Sequence, residues 1–146
     1  MPWARLSANC TRKVSSHRIG PQASLTQREI PFSDLCVNGN QVLGENIGDI
    51  AGLLVAHDAY ILSLEGKSDI VTNGLTGEQR FFVAFGQRWR KLQSEPMLRR
   101  QLKSDPHAPG EYRSDTVRNV DAWYKAFDVA PGDKLYLKPE DRVRIW

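Results

Sequence analysis

Histidine is scarce in this chain: His17, His57 and His107 are its three, among 146 residues, and no His-Glu-x-x-His occurs. These residues therefore hold no helical histidine pair of the kind that grips a catalytic zinc. Cysteine is scarcer still. Cys10 and Cys36 are too few for the disulfide framework of a small secreted domain, and neither sits in a CxxC pair that would bind zinc. They fit two free thiols or one bridge equally well. Long apolar runs are missing too: the longest, over 50–64, is broken by His57 and Asp58 and is too short and polar to span a bilayer. The basic N-terminus lacks the apolar stretch of a signal peptide, so the sequence reads as a soluble chain without export signal. There are no repeats and no low-complexity tracts.

What is present suits one globular domain. Hydrophobic residues make up 40% and charged residues 25%, ordinary values for a chain that can bury a core. The net charge of +3 is mild. Much of the excess lies early, where Arg5, Arg12, Lys13, Arg18 and Arg28 face only Glu29. No interleaving of basic and aromatic residues accompanies it, so no nucleic-acid partner is expected, and the charge reads as a solvated tail. Residues 1–34 lack sustained periodicity and are expected to be poorly ordered.

The rest reads as mainly α. Asn38-Gly39 marks a turn between short apolar stretches. Leu43, Ile47, Ile50, Leu54 and Ile61 then recur at helical spacing, which predicts a helix over 43–64 ending at Gly66. Gly48 and Gly52 sit inside it, a turn apart, and suit close approach of another backbone. Thr76 with Gln79 three residues on forms a capping box for a helix over 77–92. That helix carries the aromatic stripe Phe81, Phe82, Phe85 and Trp89, read as core. Glu95-Pro96 opens a helix to Ser104. Asp105 to Arg113, with Pro106, Pro109 and Gly110, is a constrained loop. A helix over 120–127, a turn at Pro131-Gly132-Asp133 and an irregular or strand-like end complete the chain.

Few residues are placed to carry chemistry. Glu45 and Asp49 are four apart and share one helix face. One carboxylate of such a pair can bind a metal while the other fixes a neighbouring ligand; acidic residues favoured by a helix start are the plain alternative. His107 is a surface or capping residue, or else a donor to a developing oxyanion oriented by Asp105. Arg113 suits a peptide carbonyl or carboxylate. His57, beside Asp58 and without a partner histidine, reads as structural.

Several segments, taken in order, decide between these readings. They are Val37-Asn38-Gly39, Leu43-Gly44-Glu45-Asn46-Ile47-Gly48-Asp49 and Phe81-Phe82-Val83-Ala84-Phe85-Gly86-Gln87-Arg88-Trp89. Then follow Asp105-Pro106-His107-Ala108-Pro109-Gly110-Glu111-Tyr112-Arg113, Ala126-Phe127, Pro131-Gly132-Asp133-Lys134-Leu135-Tyr136 and Arg144-Ile145-Trp146. Together they resemble the C-terminal part of the neprilysin family of zinc metalloendopeptidases, over about three quarters of the chain.

The resemblance implies that residues 35–146 form the helical C-terminal subdomain of a zincin catalytic domain. It implies zinc, oligopeptide substrates, Glu45 as the third zinc ligand and Asp49 as the carboxylate orienting a zinc histidine. It further implies His107, with Asp105, as transition-state stabiliser and Arg113 as binder of a substrate carbonyl. Glycines 48 and 52 would face the helix that carries the two zinc histidines. Family members work in the periplasm, outside the cell or as membrane-anchored ectodomains, and the compartment of this chain stays open. Val42 replaces the usual Thr, and Ser114-Asp115 the usual Asn-Gly. Arg90 and Val143 stand where animal members have cysteines, as in a bacterial-type member. With one zinc ligand, the chain alone is expected to be inactive. The alternatives are a non-catalytic helical module that docks on a chain bearing His-Glu-x-x-His, or the product of a truncated gene.

Overall fold

The computed structural model describes residues 35–146. The expected disorder of the N-terminal segment, and Cys10 and His17 within it, lie outside the described residues. Cys36 is disulfide-bonded.

Among the described residues five α-helices follow one another: α1 (Gly39–Ser63), α2 (Gly77–Arg88), α3 (Glu95–Ser104), α4 (Gly110–Ser114) and α5 (Asp121–Ala126). Short 3-10 turns cover Asp115–Asn119 and Pro139–Asp141. The fold is mainly α, and the end of the chain is irregular rather than strand-like: the described residues contain no strand, only a bridge between Thr72 and Leu75. No helix among them is long and apolar enough to cross a membrane.

Asn38-Gly39 begins α1 and is not a hairpin turn. The Asn38 side-chain oxygen accepts from the Asn40 N–H at 3.1 Å, and its carbonyl accepts from Gln41 and Val42. Asn is favoured both in turns and at helix starts, so the dipeptide alone reads either way. The face of α1 also differs from the expected stripe. Ile50 is fully buried and Leu53 and Val42 nearly so, whereas Ile61 is exposed. At Gly48 and Gly52 an added Cβ would meet nothing within 4 Å, so no described residue uses the close approach they permit.

The chain divides into two compact units. One contains the described residues up to Glu45 together with Gln93–Pro109. There α3 starts with proline in its first turn, where the missing N–H is no loss. Buried Gln101, near the end of α3, straps the following loop: its amide nitrogen donates to the carbonyls of His107 (3.1 Å) and Ala108 (3.2 Å). Gln41 on α1 donates to the Asp105 carbonyl at 2.6 Å.

The second unit spans Asn46–Leu92 and Gly110–Trp146. Its core joins Leu53, Phe82, Val117 and Val120, flanked by Leu54, Phe81, Phe85, Trp123 and Phe127. Phe81, Phe82 and Phe85 of the aromatic stripe are core packing, whereas Trp89 follows the end of α2 and is half-buried outside that cluster. The capping box is present, Thr76 Oγ1 accepting from Gln79 N and Gln79 Oε1 from Thr76 N. Asp69 adds a second cap, accepting from Glu78 N at 2.9 Å and from the Tyr60 hydroxyl at 2.7 Å. Desolvation and that carboxylate push the Tyr60 phenol up to about 12, while the Tyr60 hydrogen bond and the backbone N–H groups hold Asp69 below its ordinary value. The Tyr60 hydroxyl and the Asp69 carboxylate occupy the place of a side chain at residue 77, which only glycine leaves clear.

His57 is structural in this packing. It is buried against Phe81 and Phe82, with Nε2 2.7 Å from Glu78 Oε1, and so ties α1 to α2. At the end of the chain, Arg142 (2.6 Å) and Arg144 (3.0 Å) converge on Asp121, and the Arg142 guanidinium stacks on Tyr124. Desolvation raises the Asp121 carboxyl, but the hydrogen bonds from Arg144 and Arg142 outweigh it and leave the group below its ordinary value.

Candidate active site

Two polar clusters contain all five residues singled out from the sequence, one in each unit. In the first, the loop after α3 turns at Asp105-Pro106. Asp105 Oδ1 accepts from the backbone N–H of His107 at 2.8 Å and lies 2.8 Å from its Nδ1. The same imidazole presents Nε2 to Glu45 Oε2 at 3.0 Å. Carboxylate, imidazole and carboxylate thus form a line. With an oxygen at each ring nitrogen, the ring donates to both only as imidazolium. All three side chains are more than two-fifths exposed, so the line is reachable from solvent.

The loop's shape follows from the sequence around it. Pro106 and Pro109 limit the backbone, and the Gln101 and Gln41 amides hold its carbonyls. The sequence reading missed both glutamines. A single glutamine in an amphipathic helix carries no pattern that marks it as a loop strap.

In the second cluster, Asp49 and Arg113 make a two-pronged ion pair. Arg113 Nε donates to Asp49 Oδ2 at 2.7 Å and a terminal nitrogen to Oδ1 at 2.6 Å. The side chains are only 17% and 10% exposed, so this pair is shielded where the first line is open. The guanidinium carbon of Arg113 lies over the Trp89 ring, 4.0 Å from its centre. Trp89, read from the sequence as core alone, is thus part of this cluster. The segment 110–114 is the helix α4 rather than loop, and Arg113 projects from its last turn. Gly110 makes that start possible: a Cβ there would lie 2.5 Å from the Trp89 carbonyl oxygen.

Zinc is the metal the resemblance implies, and a carboxylate such as Glu45 is a proper zinc donor. Among the described residues no group of three His, Cys, Asp or Glu side chains is arranged to hold a metal.

A helical chain with these clusters has clear relatives. The model of Peptidase family M13 matches residues 18–143. Neutral endopeptidase of Lactobacillus helveticus is 38% identical over 111 residues, covering 75% of this chain and 16% of that protein. Neprilysin-3 of Drosophila melanogaster is 33% identical over 121 residues, covering 75% of this chain and 14% of its own length. Among solved structures, zinc metalloprotease Zmp1 of Mycobacterium tuberculosis in its open state superposes with a TM-score of 0.74 at 50% identity, over 76% of this chain and 17% of that one. Its inhibitor complex gives 0.75 at 45% identity, over 89% and 19%. The chain belongs to peptidase family M13, the neprilysin family of zinc metallopeptidases. It spans about a sixth of the length of the relatives it matches.

Proposed function

We propose that this chain is the C-terminal segment of a zinc metalloendopeptidase that hydrolyses oligopeptides, with residues 35–146 as the helical subdomain of its catalytic domain. In this reading Glu45 is one zinc ligand and the two histidine ligands come from a segment bearing His-Glu-x-x-His. The zinc, when bound, polarises the scissile carbonyl and its water. The observation that carries the reading is the line Asp105–His107–Glu45, with 2.8 and 3.0 Å spacings. With Asp105 holding Nδ1, the Nε2–H that here faces Glu45 would be released if Glu45 engaged zinc, and would then be available to a developing oxyanion of the substrate. Asp105 aims the ring and His107 donates the hydrogen bond. Arg113, steadied by Asp49, binds a substrate backbone carbonyl through its planar set of donors. Asp49 would additionally orient a zinc histidine.

Alone, the chain is inactive in this proposal, because catalytic zinc sites use three protein ligands and it offers one. Targeted mass spectrometry of the native gene product, using peptides from residues 43–113, tests the assignment. A much larger species that also yields a His-Glu-x-x-His peptide and cleaves a quenched peptide in a chelator-sensitive way is the expected result. A 16.5 kDa species without zinc or a co-purifying partner bearing that motif contradicts it.

A second reading, a helical module that docks on such a partner, draws on the solvent-facing side of α1. There Val55 and Leu62 are exposed and Gly48 and Gly52 stand open. Concentration-dependent association of the chain favours it, and a strictly monomeric chain argues against it.

A further inference from the structure

We propose that Trp89 is a positioning residue for Arg113, its indole serving as the platform that fixes the plane of the guanidinium. Three observations converge on it. The Arg113 guanidinium carbon lies 4.0 Å from the ring centroid, within the range where a cation is drawn to an aromatic face. Asp49 grips the same guanidinium by its edge at 2.6 and 2.7 Å, so edge and face are held by different partners. One turn earlier on α4, Gly110 has no side chain, and this lets the backbone seat against the Trp89 carbonyl. Residue 89 therefore meets α4 twice, through its main-chain carbonyl at Gly110 and through its indole at Arg113.

Packing alone does not require tryptophan here. Its Nε1–H is buried without a hydrogen-bond partner among the described residues, a cost that phenylalanine in the same slot would avoid. What tryptophan adds over phenylalanine is the stronger cation-binding face. Phe85 packs against the indole in a T-shaped pair, with 6.0 Å between centroids. Orientation matters because Arg recognises a carbonyl or carboxylate through a planar array of N–H groups. A guanidinium free to swing about its Asp49 bonds points that array less often at any one acceptor.

The consequence for catalysis rests on the reading of Arg113 as the carbonyl-binding residue, but the positioning itself is measured separately. On the full 146-residue chain, NMR of the Arg113 side chain, assigned by the signals lost in Arg113→Lys, reads the contact directly. In the unsubstituted protein the Arg113 δ-methylene protons are shifted upfield by the indole ring, and its Nε–H exchanges slowly. In Trp89→Met, which keeps a long apolar side chain without a π face, the upfield shift disappears and exchange quickens roughly three- to thirtyfold. Trp89→Phe restores most of both. Unshifted δ-protons in the unsubstituted protein overturn the proposal whether or not the variants fold, as does a folded Trp89→Met that matches it. In the zinc-loaded peptidase, Trp89→Met raises KM with kcat little changed. If Arg113→Ala leaves peptide cleavage unaltered while the NMR contact is present, the carbonyl-binding role falls and the positioning stands.

Discussion

The chemistry of single residues divides between an open line and a shielded pair. His107 stands between Asp105 and Glu45 in partial contact with solvent, whereas Asp49 and Arg113 are largely covered. Removing one member of a shielded pair strands the other charge. We therefore expect Arg113→Ala to lower stability by about 2–3 kcal/mol, somewhat below the range for fully buried pairs. Urea unfolding measures this, and an unchanged midpoint contradicts it. Alkaline stability is set at Tyr60, whose phenol is raised from its ordinary 10.0 to about 12. The unfolded chain loses this proton first, so the Tyr60 contribution is constant below pH 10 and declines as pH rises from 10 toward 12. Tyr60→Phe removes that decline in a pH series of melts. Asp69 works in the opposite direction: its carboxyl is lowered, so its contribution is present above pH 3.8 and is lost as pH falls through the folded-state value.

At the scale of elements, the starts of α2 and α3 were legible in the sequence, because their signals are local. Thr76 with Gln79, and Glu95-Pro96, define α2 and α3 from four residues or fewer. Thr76→Ala should cost about 1 kcal/mol, the usual value of a lost cap. Gly77→Ala should cost more than Thr76→Ala, because its methyl would collide with the Tyr60 hydroxyl and the Asp69 carboxylate. Equal melting temperatures for the two variants contradict this. Asn38-Gly39 misled because a turn and a helix start use the same residues. Ile61 misled because a 3.6-residue period continues along a helix after its packing partners have ended. The contacts that assemble the site were illegible for another reason. Gln101 to the 107–108 carbonyls is local in space but unmarked in pattern, and Trp89 to Arg113 joins residues 24 positions apart. The roles expected of the five candidate residues came from the resemblance. Spacing alone left Glu45 and Asp49 as acidic residues on a helix.

For the whole molecule, the chain is a family M13 segment, and the proposal is that Glu45 would be one of its zinc ligands while the others come from a segment bearing His-Glu-x-x-His. Its fold resembles that of the solved M13 structures over three quarters or more of the chain, at TM-scores near 0.75. The line Asp105–His107–Glu45 needs no metal to assemble, since its bonds are between the chain's own side chains. The most direct test is the zinc content of the purified 146-residue chain, measured together with its cleavage of a quenched peptide with and without chelator. The account predicts zinc far below one ion per chain and no chelator-sensitive cleavage. One zinc per chain with chelator-sensitive turnover would contradict it, and would mean that these residues build a complete site by themselves.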